Sequence, residues 1–508
     1  KIKIYMAHLE VDQMSRSLEE QFSKFRKNIT GIDQFFDGPQ GRKKILYADW
    51  TASGRLYTPI ETRMSEDIGK FVANTHTETS LTGKMMTNAY HEAKHIIKHH
   101  VNAKDSDVFI PAGTGMTGAV LKLQRILGLK MPEKLQPFVS LPDEERPVVF
   151  ITHMEHHSNQ TSWLETIAKV ELIGATADGL IDLEDLDRLL EKHKTCKKLI
   201  ASVTGCSNVT GIETPYHEIA RKMHRAGGLC FVDFACSGPY VKIDMHPEND
   251  PEARLDSIFF SPHKFLGGPG TTGVLIFDSE LYNNKVPDCP GGGTVTYTNP
   301  CGVHFYIDDI EAREDGGTPG FLQTIKAALC VKLKEEMGIV NIRNREHQIV
   351  EKIFSVFDKI PNLEIMAGNV KNRLGVIAFN INGLHYNLGV KLLNDYFGIQ
   401  TRGGCACAGT YGHLLLNLDE VKSYEVWDLI KDGNQTFRPG WIRMSIHPTM
   451  TDLEVSLLCE ATKALAENWQ TWGKDYVYDT HTNEFNHKTF KGNEIEIVEH
   501  WFTKPLSN

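Results

Sequence analysis

Lys264 stands in the segment FFSPHKFLGGPGTTGVLIF, where a β-rich run ends at Ser261 and a glycine-rich turn follows at once. Most lysines are solvated surface charges. One delivered at a strand's end in an α/β sheet stands instead where open sheets bind their ligands, and an amine held there can form a Schiff base with an aldehyde cofactor. The loop PAGTGMTGA lies between an expected strand and an expected helix. Backbone N–H groups of Gly113, Thr114 and Gly115, with the helix dipole behind them, can hold a phosphate there. Glycine-rich turns of this kind also arise for backbone reasons alone, so the loop by itself leaves both readings open. Asp233 ends the apolar strand LCFVD, a costly place for a charge without a partner. A protonated pyridine nitrogen would pair it, and capping of the next turn is the plainer alternative.

The stretch ITHMEHHSNQTSW offers His153, His156 and His157, one of which could stack on a cofactor ring. The zinc patterns H-E-x-x-H and H-x-x-E-H do not occur in it, and no metal site is expected. An amine, an anion site, a carboxylate and a ring partner are together what pyridoxal 5'-phosphate asks of a protein. Farther on, TRGGCACAGTYGH sets Cys405 and Cys407 among glycines and close to Arg402. A C-x-C pair can ligate metal, form a strained disulfide or simply pack. Flexible flanks and a neighbouring cation favour a reactive thiolate.

These groups need a scaffold, and the sequence between about 105 and 280 supplies its pattern. DVFIPA precedes GMTGAVLKLQRILG, PVVFIT precedes the His-rich turn, and KLIASVTG, TPYHEIARKMHRAGG, LCFVDFA, LDSIFFS and TGVLIF follow. Such alternation predicts a mainly parallel sheet with helices on its faces. Met116, Val120, Leu123 and Leu127 recur at i, i+4, i+7 and i+11, giving one helix a buried face. A second helix is expected from Thr214 as N-cap and Pro215 at its first position. Ile219, Met223 and Ala226 face inward in it until Gly227 and Gly228 stop it. Residues 128–146 read as a Pro-rich, charged surface excursion. The Gly/Pro-rich stretch 289–320 separates this α/β region from a later half. There a long helix starts near Phe321 and strands such as LGVIAFNI predict a smaller α+β domain. The expected division is an extension over 1–45 packing with the small domain, a large domain over 46–320, and a small domain over 321–508 with a tail after about 468.

Composition narrows the function classes. The 508 residues give a prior of roughly three domains, and no repeat or low-complexity tract interrupts them. Lys+Arg 55 against Asp+Glu 65 gives a net charge of −10, which argues against nucleic acid as the main partner. Ten scattered cysteines make no disulfide framework and fit a reducing compartment. No stretch approaches the roughly 18 apolar residues a membrane helix needs. The start KIKIYMAHLEVDQMSRSLEE lacks the apolar core of a secretory signal. The reading is a cytoplasmic protein with no membrane and no nucleic-acid partner.

The motifs YADWTASG, GTGMTGA, MEHHSN, SNVTG, FVDFACS, SPHKFLGGPG, GGGT, GTPG and the Arg/Cys loop occur in that order from about residue 46 to about residue 460. The set resembles the class V aminotransferase superfamily, and within it most closely the cysteine desulfurase and selenocysteine lyase branch. The resemblance implies a fold-type I pyridoxal-phosphate enzyme. It would have a seven-stranded, mostly parallel sheet, a smaller C-terminal domain, and sites shared across a homodimer interface. It makes Lys264 the Schiff-base lysine, with Ser261 and His263 as phosphate contacts beside Thr114 and Gly115. It makes Asp233 the partner of the pyridine nitrogen, His156 the stacking and proton-shuttling histidine, and Asn208 a neighbour of cofactor and substrate. Thr294 matches a phosphate contact given by the neighbouring subunit, and Arg443 in WIRMSIHP matches the arginine that binds the substrate carboxylate. Aligning Arg402 with the desulfurase loop R-x-G-x-x-C puts Cys407, not Cys405, on the sulfur-accepting position.

Two residues depart from the family pattern. Cys236 replaces the glutamine that reaches the cofactor's ring oxygen, and Thr77 replaces an arginine after the early N-x-H. The implied activity is removal of sulfur from L-cysteine to give alanine and a persulfide on Cys407, with a protein as possible sulfur acceptor. Rival readings are another class V reaction (C–S lyase, selenocysteine lyase or aminotransferase) or a non-catalytic scaffold. The intact Lys264 and Asp233 speak against the scaffold.

Overall fold

The computed structural model describes residues 17–75 and 77–506. The first 16 residues of the expected extension, and His76 of the early N-x-H loop, lie outside the described residues. Six apolar runs and one mixed strand, β3, form the main sheet: β1 (Val108–Pro111), β2 (Val148–Thr152), β3 (Lys169–Ile173), β4 (Leu199–Thr204), β5 (Leu229–Asp233), β6 (Ser257–Phe260) and β7 (Val274–Phe277). Their order is β1-β7-β6-β5-β4-β2-β3. The pairs from β6 through β3 are parallel, whereas β7 runs antiparallel to both β1 and β6. β2, β4, β6 and β7 are buried along their whole length, as strands covered by helices on both faces must be. The expected mostly parallel, seven-stranded α/β sheet is therefore present.

Helix Met116–Ile126 buries Met116, Val120 and Leu123 against this sheet, and helix Tyr216–Arg225 buries Ile219, Ala220 and Met223. The second helix corrects two expectations, the first being Ala226, which is its exposed C-cap and not an inward-facing residue. Its N-cap is Pro215, without a side-chain cap, because the Thr214 hydroxyl donates to the Thr204 carbonyl instead. A hydroxyl beside an unpaired strand-end carbonyl serves that carbonyl first. Residues 133–138 and 143–145 make only short, exposed 3₁₀ turns within the surface excursion.

Beyond Phe321 the helices Phe321–Met337 and Ile339–Phe357 are broken only at Gly338, whose φ of 79° is in the left-handed region. A second sheet follows, built from β8 (Leu363–Ile365), β9 (Val376–Ile381), β10 (Arg402–Gly404) and β11 (Trp441–Ser445) in the order β8-β9-β11-β10, all antiparallel. Helix Asp452–Trp472, started by a capping box of Thr451 and Glu454, packs Val455, Leu458 and Leu465 into its core. The helix Leu18–Arg26 sits nearby: Arg26 donates to the Thr449 carbonyl and pairs with Glu454 at 2.5 Å.

Candidate active site

The carboxyl ends of the parallel strands open onto one cleft of about 760 Å³. Its lining includes Gly113, Thr114, Gly115, His156, Asn208, Asp233, Cys236, Ser261, His263, Lys264, Arg402, Cys407 and Arg443. All but one of the site residues expected from sequence thus meet here. The exception is Thr294, which is buried with its hydroxyl donating to the Gly291 carbonyl at 2.7 Å and does not line the cleft of its own chain.

Each group is placed by local structure. A short 3₁₀ turn, Pro262–Lys264, follows β6, and the Lys264 amide donates to the Ser261 carbonyl at 3.0 Å. The amine of Lys264 has no hydrogen-bond partner among the described residues, and burial holds it below the ordinary lysine value despite the nearby Cys236 and Asp233. Gly115 lies where a Cβ would come to 3.0 Å from Ser261 Oγ and 3.4 Å from the His263 ring, so a side chain there would crowd both and oblige them to shift. The Met116 amide donates to Ser261 Oγ at 2.8 Å, and the amides of Gly113 and Thr114 find no acceptor among the described residues. Asp233 is 2% exposed. Its Oδ1 accepts from the Ala235 amide at 2.8 Å, its Oδ2 has no partner among the described residues, and burial raises its pKa to about 6.

His156 caps helix His157–Leu164 by accepting the Ser158 amide at Nδ1, 3.1 Å, which leaves the proton of the neutral ring on Nε2. Burial, with Lys264 adding repulsion, pushes its pKa down to about 3, so the ring is neutral. Beneath it, Glu155 accepts from the Thr152 hydroxyl (2.6 Å), the Thr204 amide (2.9 Å) and Asn159 Nδ2 (2.7 Å), joining the ends of β2 and β4. His153 turns away to the Gly179 carbonyl at 3.2 Å. No group of three or more His, Cys, Asp and Glu side chains among the described residues is arranged to hold a metal ion.

The cysteine loop approaches from the second sheet. Ala406 and Cys407 have φ of 52° and 58°, left-handed values that side chains adopt only when neighbours impose them. The neighbours are visible. Asn208 Nδ2 donates to the Ala406 carbonyl at 2.6 Å, the His157 amide donates to the Cys407 carbonyl at 2.8 Å, and His157 Nε2 accepts the Gly409 amide at 2.8 Å. So held, Cys407 lines the cleft, whereas Cys405 packs against the main hydrophobic core.

Arg402 and Arg443 are paired in register across β10 and β11. Arg443 Nη2 binds Asp49 Oδ1 at 2.6 Å and Nη1 donates to the Asn208 carbonyl at 3.2 Å, while Nε has no acceptor. Arg402 has no ion pair among the described residues. Only one of the two guanidinium groups is met by a carboxylate, which leaves a place for an anion.

Sequence reasoning left out Asp49 and Cys206, and offered His157 only as a possible ring partner, not as an anchor of the cysteine loop. Asp49 was visible only as part of YADWTASG, His157 as the second histidine of MEHHSN, and Cys206 carried no local signal.

The unpartnered Asp233 Oδ2, the free amides of the 113–115 loop and the unpaired Lys264 amine fit pyridoxal phosphate. Comparison with known proteins agrees with that chemistry. A family model described as Aminotransferase class-V matches residues 46–458. A probable cysteine desulfurase of Staphylococcus aureus (strain COL) is 26% identical over 386 residues, 75% of this chain and 86% of the relative. One of Pyrococcus abyssi is 26% identical over 371 residues, 72% of this chain and 86% of the relative. Among solved structures, a cysteine desulfurase of Thermococcus onnurineus superposes with a TM-score of 0.70 at 23% identity, covering 88% of this chain and 98% of that one. A cysteine desulfurase of Escherichia coli gives 0.66 at 21%, again with 88% and 98% covered. Among the described residues no helix is long and apolar enough to cross a membrane.

Proposed function

Because the chain belongs to the class-V aminotransferase family, we propose that it is a pyridoxal-phosphate-dependent cysteine desulfurase, taking sulfur from L-cysteine and carrying it as a persulfide on Cys407. The observation that carries this reading is the meeting of Lys264 and Cys407 in the lining of one cleft, with Cys405 outside it. The cofactor supplies the electron sink that labilises bonds at the substrate's α carbon. Gly113, Thr114, Gly115, Ser261 and His263 would hold its phosphate, Asp233 would pair with its ring nitrogen, and His156 would stack on its ring. Asp233 becomes fully ionised when that cation pairs with it.

Arg443 and Arg402 bind the substrate carboxylate, with Asp49 fixing the fork of Arg443, and Asn208 stands between them and the cysteine loop. Lys264, an amine held below its usual pKa, would move protons at the substrate carbon. The Cys407 thiolate attacks the substrate sulfur. An S–S bond forms as the C–S bond breaks, and the electron pair left on carbon takes up a proton to make the methyl group of alanine. A homodimer is part of the reading: Thr294 is held at the base of a hairpin, Val295–Thr298 with His304–Tyr306, that exposes Tyr297, Val303 and Phe305. Cytoplasmic location and a protein sulfur acceptor complete the proposal. Incubation with cysteine tests it: alanine with sulfide supports desulfuration, and pyruvate identifies a lyase instead.

A further inference from the structure

Cys236, the residue that departs from the family's glutamine, does not stand alone. Its sulfur is 3.9 Å from that of Cys206, and both line the cleft. The closeness follows from the sheet. β4 and β5 are parallel neighbours with Thr204 opposite Asp233; Cys206 comes two residues after the first and Cys236 three after the second. The Gly205 amide also donates to the Asp233 carbonyl at 2.8 Å, keeping the two chains together past the strand ends. Both sulfurs point at the Ser207 carbonyl, at 3.4 Å from Cys206 and 3.7 Å from Cys236. Neither has a part in the proposed reaction. Their exposure is 0% and 4%, so the cleft is the route by which a reagent reaches them.

We propose that Cys206 and Cys236 form an oxidative modification site, a dithiol that hydrogen peroxide entering through the cleft converts to a disulfide. The Cys236 thiolate attacks one peroxide oxygen, and the O–O bond breaks to give a sulfenic acid and, with one proton, water. The Cys206 sulfur then displaces the sulfenic oxygen, which leaves as a second water. Two thiols and one peroxide become one disulfide and two waters. The two cysteines differ as this sequence requires. The hydrogen bond shared with Cys206 lowers the Cys236 pKa, with Lys264 and Arg443 adding to it against burial, whereas burial raises that of Cys206. Closing from 3.9 Å to a bond of about 2.05 Å moves a turn whose far end Lys334 clamps through the Gly238 and Val241 carbonyls. The moving end carries the residues next to Asp233.

A cofactor lying in the cleft covers this route, so the site is open chiefly in the cofactor-free protein. The test is independent of whether the enzyme desulfurates. Protein loaded with pyridoxal phosphate and protein stripped of it are treated with hydrogen peroxide. Free thiols are then alkylated under denaturing conditions, and the peptides are mapped without reduction. The expected result is a Cys206–Cys236 cross-linked peptide, formed at least tenfold faster in the stripped protein, while Cys206→Ser leaves a dimedone-reactive sulfenic acid at Cys236. Recovery of both residues as alkylated thiols, when the exposed Cys289 and Cys301 have been oxidised, overturns the proposal. So does either cysteine linked elsewhere. Equal rates in the two forms overturn access through the cleft.

Discussion

The two reactive residues sit in the same cleft but are held in opposite ways. Lys264 stands on a turn fixed by main-chain bonds and strand ends, with the Lys264 amide on Ser261 and the Gly54 amide on the His263 carbonyl at 2.9 Å. Cys407 stands on a loop with two left-handed non-glycine residues, held by side chains from other elements, Asn208 and His157. Main-chain anchoring suits a group that must hold a cofactor in one place. A loop retained by two side chains and one main-chain bond from the His157 amide suits the role proposed for Cys407, a thiol that receives sulfur inside the cleft and presents it outside.

The sharpest break in this comparison comes from Lys264. Lys264→Ala is expected to lose borohydride-fixable cofactor and to cut turnover about 10³-fold or more; peptide mapping after reduction checks the first and product assay the second. Next come the cysteines. Cys407→Ser is expected to abolish persulfide formation while leaving the cofactor's visible absorbance unchanged, and Cys405→Ser to keep turnover within about threefold, because two residues of loop displace a nucleophile beyond attack distance.

His157 separates anchoring from chemistry. Its ring accepts one loop amide, and at about 1 kcal/mol for a net hydrogen bond His157→Ala should lower kcat/KM roughly five- to tenfold. The absorbance should not change, and the rate of Cys407 alkylation should rise. His157→Gln, which retains an acceptor, should recover much of the loss. A His157→Ala enzyme with normal kcat/KM and unaltered alkylation would show that the loop is held by something else.

The smallest effect concerns the frame behind the loop. Glu346 accepts the Gly375 amide at 2.7 Å just before β9, and burial raises its pKa to about 8. The folded state therefore keeps a proton that the unfolded chain releases near pH 4.5, so stability falls as pH rises between about 4.5 and 8. Glu346→Gln keeps the acceptor and cannot ionise. Its Tm should exceed that of the parent by about 2–4 °C at pH 8 and match it at pH 4.5; equal Tm at both values would contradict the buried, protonated carboxyl.

What the sequence made legible were features written locally. The run FFSPHK places a lysine after a strand, LCFVD ends in an acid, and GTGMTGA joins strand to helix, and the fold has each of them so. Pairings across long separations were not legible. Asp49 and Arg443 are 394 residues apart in the chain, and Cys206 and Cys236 are brought together by the register of β4 and β5, strands buried on both faces whose continuous apolar runs show no alternation to mark it. Direction was also hidden: β7 is as apolar as its neighbours, yet it runs the other way. The edge strand β3, KVELI, buries little until Ile173, and so escaped the apolar-run signal altogether.

The central claim is that the sulfur carrier is Cys407 and not Cys405, and mass spectrometry of protein treated with L-cysteine tests it most directly. After trapping of persulfides by alkylation, the account predicts one extra sulfur on Cys407 and none on Cys405. An extra sulfur on Cys405 with Cys407 unmodified, or none on either while alanine accumulates, would contradict it.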